Sequence, residues 1–155
     1  MSPEPILERV TSAPMAAVSA RVTPEQAGHV VFAGLDAVYA ALRTGDYGPH
    51  GRDVVFCAPG GDGLLDLRIG VRLERPFPGL GKVAGWATPD CEAIHVAHLG
   101  DYSKRGQAHG SARDAAARLG RRLTGVHWEV HGEYLPAAGK RRTDLYFELA
   151  EPADA

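Results

Sequence analysis

Ten residues, Val126 to Leu135 (VHWEVHGEYL), hold two histidines, two glutamates, a tryptophan and a tyrosine. Imidazoles and carboxylates are common metal ligands and proton carriers. Three chemistries therefore compete: a metal site, an acid/base pair, or a ligand pocket charged by one buried carboxylate. The metal fails on geometry. HWEVH looks like HExxH, but its glutamate stands one residue late, and that motif needs a helix to bring its histidines together. In a strand, His127 and His131 share a face yet lie roughly 13 Å apart at ~3.3 Å per residue, too far for one zinc bound at about 2 Å. His95 and His98, three apart in another strand, fall on opposite faces. No metal site and no cofactor is expected.

Other catalytic and nucleotide motifs are missing from the sequence. There is no GxSxG elbow, and Cys57 and Cys91 have neither a CxxC partner nor a neighbouring feature that would activate a thiol. The glycines of GGDG (Gly60 to Gly63) separate two strand-like runs, and Gly79 to Gly81 lie in a Pro/Gly-rich segment. A phosphate cradle needs its glycines between a strand and a helix N-terminus, so turn duty explains both. What remains is Glu129. Strand alternation puts Val126, Trp128 and Val130 on one side and His127, Glu129 and His131 on the other. Exposed, Glu129 is an ordinary surface charge. Sunk in an aromatic-lined cleft, its desolvation has to be offset by a partner, and a cationic or donor-rich organic ligand is such a partner. A carboxylate so placed could also activate water, so binding and hydrolysis look alike at this level. Glu133 reads as solvated, at the start of a turn.

The elements that would position these groups come twice. At an offset of about 76 to 78 residues the order strand, helix, strand, strand repeats. In the first unit (residues 15–74), AAVSARV is a strand, and Thr23, Pro24 and Glu25 suit a helix start. Val31, Leu35, Val38 and Leu42 then form an apolar helical stripe. VVFCA and LLDLRIGVRL make a hairpin around PGGDG, with Leu67, Ile69, Val71 and Leu73 on one side. The second unit (91–150) has the strand EAIHVAH and a helix from about Ser103 to Leu123 with the spine Ala108, Ala112, Ala115 and Leu119. The hairpin VHWEVHGEYL/TDLYFEL completes it. Residues 75–90 cross between the units, and their rings Phe77 and Trp86 are expected in the cleft there. The predicted fold is α+β: one domain over 1–155, two strand-helix-strand-strand units in pseudo-twofold arrangement, and an antiparallel sheet with helices on one face.

The composition excludes several partners. The chain has 155 residues, 45 % apolar, with a formal net charge of -2, so it offers nucleic acid or an anionic membrane no long-range attraction. No window approaches the ~20 apolar residues of a membrane span. The start MSPEPILERV lacks the basic and apolar regions of a signal peptide, and two cysteines make no disulfide framework. A cytoplasmic protein is expected, with no direct nucleic-acid binding and no membrane association.

AIHVAHLGDY (Ala93 to Tyr102), HWEV (His127 to Val130) and RTDLYFEL (Arg142 to Leu149) resemble the GyrI-like small-molecule-binding family, the bacterial transcription activator effector-binding domain, and a looser likeness runs from Ala16 to Leu73. The resemblance implies a ligand groove between the two units. Onto this sequence it carries a pocket glutamate at Glu129, a His-x-Gly-x-Tyr-like segment at His98, Gly100 and Tyr102, and a pocket tyrosine at Tyr146. His131 stands where many members have tyrosine. The chain reads as a stand-alone member.

Three functions follow as expectations. The first is binding of lipophilic, cationic or planar aromatic small molecules, with Glu129 as the charge and Tyr102, Tyr146, Trp86 and Phe56 as aromatic walls beside His98 and His131. The second is a cofactor-independent hydrolase opening cyclopropane-containing aromatic antibiotics, with Glu129, Tyr102 and Tyr146 as its catalytic groups. The third is a protein-binding role, as in relatives that inhibit DNA gyrase.

Overall fold

The computed structural model describes residues 4–100, 106–135 and 140–152, without the side chains of 133–135 and 140. Among the described residues, eight strands and two helices follow the order β1 (Ile6–Val10), β2 (Pro14–Val22), α1 (Ala27–Leu42), β3 (His50–Pro59), β4 (Leu65–Leu73), β5 (Ala84–Ala87), β6 (Cys91–Leu99), α2 (Gly106–Arg118), β7 (Leu123–Leu135) and β8 (Lys140–Leu149). The class is α+β. None of these helices is long and apolar enough to cross a membrane.

The chain forms two compact units, Thr11–Pro89 on the one hand and Met1–Val10 with Asp90–Ala155 on the other. In Thr11–Pro89 the strands run in the order β3, β4, β2, β5, each neighbouring pair antiparallel. The alternation of β4 is realised: Leu67, Ile69, Val71 and Leu73 are buried on the side that carries α1, with Val38, Ala41 and Leu42 packed beside Val71 and Leu73, and Val30, Val31 and Leu35 beside Leu67 and Ile69. Full burial of one such branched side chain contributes roughly 1.5–3 kcal/mol, so this face dominates the unit's stability. Of the expected stripe, Val38 and Leu42 are buried while Val31 and Leu35 are half-covered. Gly34 lies against β4 and β2, where an added Cβ would meet the Cγ2 methyls of Ile69 and Val18 at 3.0 Å.

The turn between β3 and β4 is the predicted one. Gly61, Asp62 and Gly63 all take positive φ, and Gly60 N–H donates to the Leu64 carbonyl at 2.9 Å. Phe77, expected in a cleft, instead packs in the α1 core with Tyr47, their rings 4.9 Å apart. An isolated ring gains more from the continuous apolar surface under α1 than from a solvated groove.

The second unit has the order β1, β6, β8, β7, again antiparallel throughout. One face carries α2, which buries Ala108, Ala112, Ala115 and Ala116 against Ile94, Val96, Leu145, Phe147 and Leu149. Small side chains let the helix sit close to the sheet. The expected Leu119 is 48 % exposed. The helix ends first: Gly120 turns at φ 67, and Arg121 N–H reaches back to the Ala116 carbonyl at 2.9 Å, closing the last turn as glycine C-caps do. Leu119 then no longer lies over the sheet, and Ala116 takes its place. β1 and β5 lack a clear alternating signal, and the sequence reading assigns neither.

Candidate functional site

Cross-strand register decides which side chains of the second unit meet. His127 lies opposite Phe147, Glu129 opposite Leu145, and His131 opposite Thr143; on β6, Ile94, Val96 and His98 face those same β8 residues. Directly opposed residues in an antiparallel pair point to one face. Three rows therefore cross the α2-bearing face: Ile94, Phe147, His127; then Val96, Leu145, Glu129; then His98, Thr143, His131. The side of β7 that reads as polar is on the sheet face that carries α2.

Glu129 is accordingly only 5 % exposed. Its Oε2 lies 3.6 Å from Nε2 of His131, whose side chain keeps 22 % of its exposure. A carboxylate withdrawn from water beside aliphatic neighbours is stabilised chiefly by charge or hydrogen-bond donors placed against it. His98, also buried, closes the third row two strands away.

The other expected site residues divide among different surfaces. Tyr146 lies opposite Trp128 and His95, and so on the face turned away from Glu129. There the three rings stack across three strands, Trp128 on Tyr146 at 5.4 Å and 13°, Tyr146 on His95 at 4.5 Å and 8°. Phe56 and Trp86 belong to the Thr11–Pro89 unit. They meet edge to face at 4.7 Å, on the side away from α1, since Phe56 lies opposite Arg68 and Trp86 opposite Met15. Tyr102 lies outside the described residues, and so does the side chain of Glu133. The structure thus brings Glu129, His131 and His98 onto one face and sets Tyr146 behind it.

A polar cluster that the sequence reading misses sits beside the ring stack. His95 Nε2 is 2.7 Å from Asp144 Oδ1, and its Nδ1 is 2.9 Å from Glu8 Oε2, close enough to pair although not aligned as a hydrogen bond. Arg142 donates to Asp144 from Nη2 at 2.8 Å and from Nε at 3.2 Å. Burial by itself would raise the Asp144 carboxyl. The hydrogen bonds from His95 and Arg142 and their positive charges outweigh it and hold the group down at about 2. The sequence signal was weak: His95 and Tyr146 belong to different strands, and only register makes them neighbours. Among the described residues no group of three or more His, Cys, Asp or Glu is placed to hold a metal ion.

Solved structures supply the comparison. Over 96 % of its length the chain superposes on the EcmrR C-terminal domain, covering 98 % of that chain with a TM-score of 0.73 at 11 % identity. It likewise superposes on SAV2435 bound to tetraphenylphosphonium, 95 % of this chain on 94 % of that one, with a TM-score of 0.66 at 14 % identity. The fold is GyrI-like. A hydrolase from Listeria innocua shares the GyrI-like fold at a TM-score of 0.60 and 14 % identity, over 95 % of this chain and 92 % of that one. In the EcmrR–DNA complex the chain spans 58 % of the matched polypeptide, at a TM-score of 0.72 and 11 % identity. No protein-family profile matches the sequence, and no curated protein matches it. At these identities the GyrI-like fold is shared while individual side chains are not, so the site rests on the geometry of this chain.

Proposed function

We propose that this protein binds lipophilic organic cations, with Glu129 as the charge that attracts them. The observation that carries the reading is the 5 % exposure of Glu129 on the sheet face that carries α2. A delocalised cation carries a weakly held hydration shell, so it enters such a site at less cost than an ammonium ion and offsets the desolvation of the carboxylate. His131, at 3.6 Å, is a competing internal partner that is charged only when protonated. The GyrI-like fold and the tetraphenylphosphonium held by SAV2435 support the same ligand class.

Calorimetric titration tests it. Tetraphenylphosphonium is expected to bind, and Glu129→Gln to weaken it about 30-fold, roughly 2 kcal/mol at 1.4 kcal/mol per factor of ten. The neutral analogue triphenylphosphine oxide should change less than threefold. Equal losses for both compounds would remove the charge from the account.

Hydrolysis is the second reading, favoured by the imidazole set 3.6 Å from the buried carboxylate and by the Listeria innocua hydrolase of the same fold. Glu129 would then take a proton from water as its oxygen bonds to a carbon of an activated cyclopropane; the ring C–C bond breaks, its electron pair passes to the substrate's conjugated carbonyl, and the proton taken up is returned to the carbonyl oxygen. More than one equivalent of ring-opened product per protein, lost in Glu129→Gln, is the expected outcome. Stoichiometric consumption would leave binding alone.

A further inference from the structure

Beside α2 the second unit holds a recess of about 570 Å³ whose chemistry is opposite to that of Glu129. The charged and aromatic groups in its wall are His109, Arg113, Arg121, Arg122, His127 and Phe147, with no carboxylate among the described lining residues. Its origin lies in the chain. Between Leu123 (opposite Leu149) and His127 (opposite Phe147), β7 advances four residues while β8 advances two. The surplus forms a bulge around Gly125 at φ 96, pinned by Val126 N–H donating to the Thr124 hydroxyl at 3.1 Å and by that hydroxyl donating to Glu148 at 3.0 Å. Bulges bend a strand and re-aim its side chains. α2 contributes His109 and Arg113 to the wall and, nearer its C-terminal end, the small side chains of Ala116 and Ala117, which leave the space unfilled.

The charges are differently occupied. Arg121 is mostly buried and committed, donating to Glu92 at 3.1 Å and to the Ala150 carbonyl at 2.9 Å, while its Nε has no hydrogen-bond partner. Arg113 and Arg122 are exposed, and neither pairs with a carboxylate among the described residues. Two uncompensated guanidiniums thus converge on one recess, on forks that match carboxylate, sulfonate or phosphate oxygens. The carbonyl end of α2 opposes an anion only weakly, because its last carbonyls are already bonded by the Gly120 turn. Ring surfaces complete the wall. His109 meets His127 and Phe147 edge-on at 4.9 Å each, and His127 stacks on Phe147 at 5.7 Å and 21°.

We infer that this recess is a binding site for a small aromatic anion, one or two rings bearing a phosphate, sulfonate or carboxylate, distinct from the cation site at Glu129. The rings would lie against the imidazoles of His109 and His127, which are backed by the buried ring of Phe147, and the anionic group would meet Arg113 and Arg122. The inference stands independently of the cation reading.

The probe is 1-naphthyl phosphate, titrated calorimetrically into the full chain at low salt, with inorganic phosphate and 1-naphthol as the two halves of the molecule. Saturable one-to-one binding is expected, at least tenfold tighter than either half, and weakened about tenfold by Arg113→Ala and again by Arg122→Ala. Both side chains are exposed, so the variants should fold; unchanged circular dichroism and an unchanged thermal midpoint confirm it. Arg113→Lys should restore part of the loss. If the double variant binds naphthyl phosphate as wild type does, or if phosphate alone binds as tightly, or if no saturable binding occurs, the assignment is overturned.

Discussion

Asp144 shows how one residue can be both buried and ionised. Its carboxylate is held by Arg142 through three N–H···O contacts and by His95 at 2.7 Å, and those charges keep it at about 2 against a usual 3.8. A carboxyl depressed in the folded state adds stability above its unfolded value and loses it as pH falls through the folded one. The Asp144 contribution should therefore be complete above about pH 5 and drain away between about pH 4 and pH 2. Asp144→Asn removes the charge while keeping the shape, leaving Arg142 without its anion and His95 with Glu8 alone. A carboxyl lowered from 3.8 to about 2 corresponds to roughly 2 kcal/mol, at about 1.4 kcal/mol per pH unit. Urea unfolding at a series of pH values should show that gap near neutrality and see it close as pH approaches 2. A constant gap down to pH 2 would mean that charge has no part in it.

At the scale of the element, two opposing effects meet at Gly34 in α1. Alanine there improves helix propensity by about 1 kcal/mol. Its Cβ would also press the Cγ2 methyls of Ile69 and Val18 at 3.0 Å, and both belong to β-branched side chains with little rotameric freedom in a sheet. Overpacking of this kind costs typically 1–3 kcal/mol, so the clash wins. Gly34→Ala should lower stability by roughly 1 kcal/mol, read as a fall in the denaturation midpoint. Gly28→Ala, on the same helix with nothing within 4 Å of the added carbon, should leave it level or raised. α2 shows the complementary case, where alanines at 108, 112, 115 and 116 supply the closeness that glycine supplies in α1.

For the molecule as a whole, the division into units does not follow chain order. Residues Met1–Val10 belong with Asp90–Ala155, because β1 pairs with β6 from Ile6 opposite His95 to Val10 opposite Cys91. Arg9 pairs with Asp90, and Glu8 reaches His95. A chain lacking residues 1–10 should lose this cover. Amide exchange in β6 should accelerate at alternate positions from Cys91 to His95, where the ladder bonds to β1 are gone. Unaltered protection along β6 would show that β1 adds little to the sheet.

The sequence alone determined the element types, their repeated order and which residues of each strand share a side, because these follow from backbone periodicities of two and 3.6. It reads the alternation of Leu67, Ile69, Val71 and Leu73, the glycine turn after β3 and the alanine spine of α2. It also separates Trp128 from Glu129. Alternation has no sign, however: it sorts β7 into two faces without saying which one the helix covers. That choice came with register, which set Glu129 beside Leu145 on the face that carries α2 and put Tyr146 behind it with Trp128 and His95. The bulge at Gly125 and the union of Glu8, His95 and Asp144 likewise depend on pairings between residues far apart in the chain. Only the packed sheet, in which burying apolar area selects one register over its neighbours, decides such pairings.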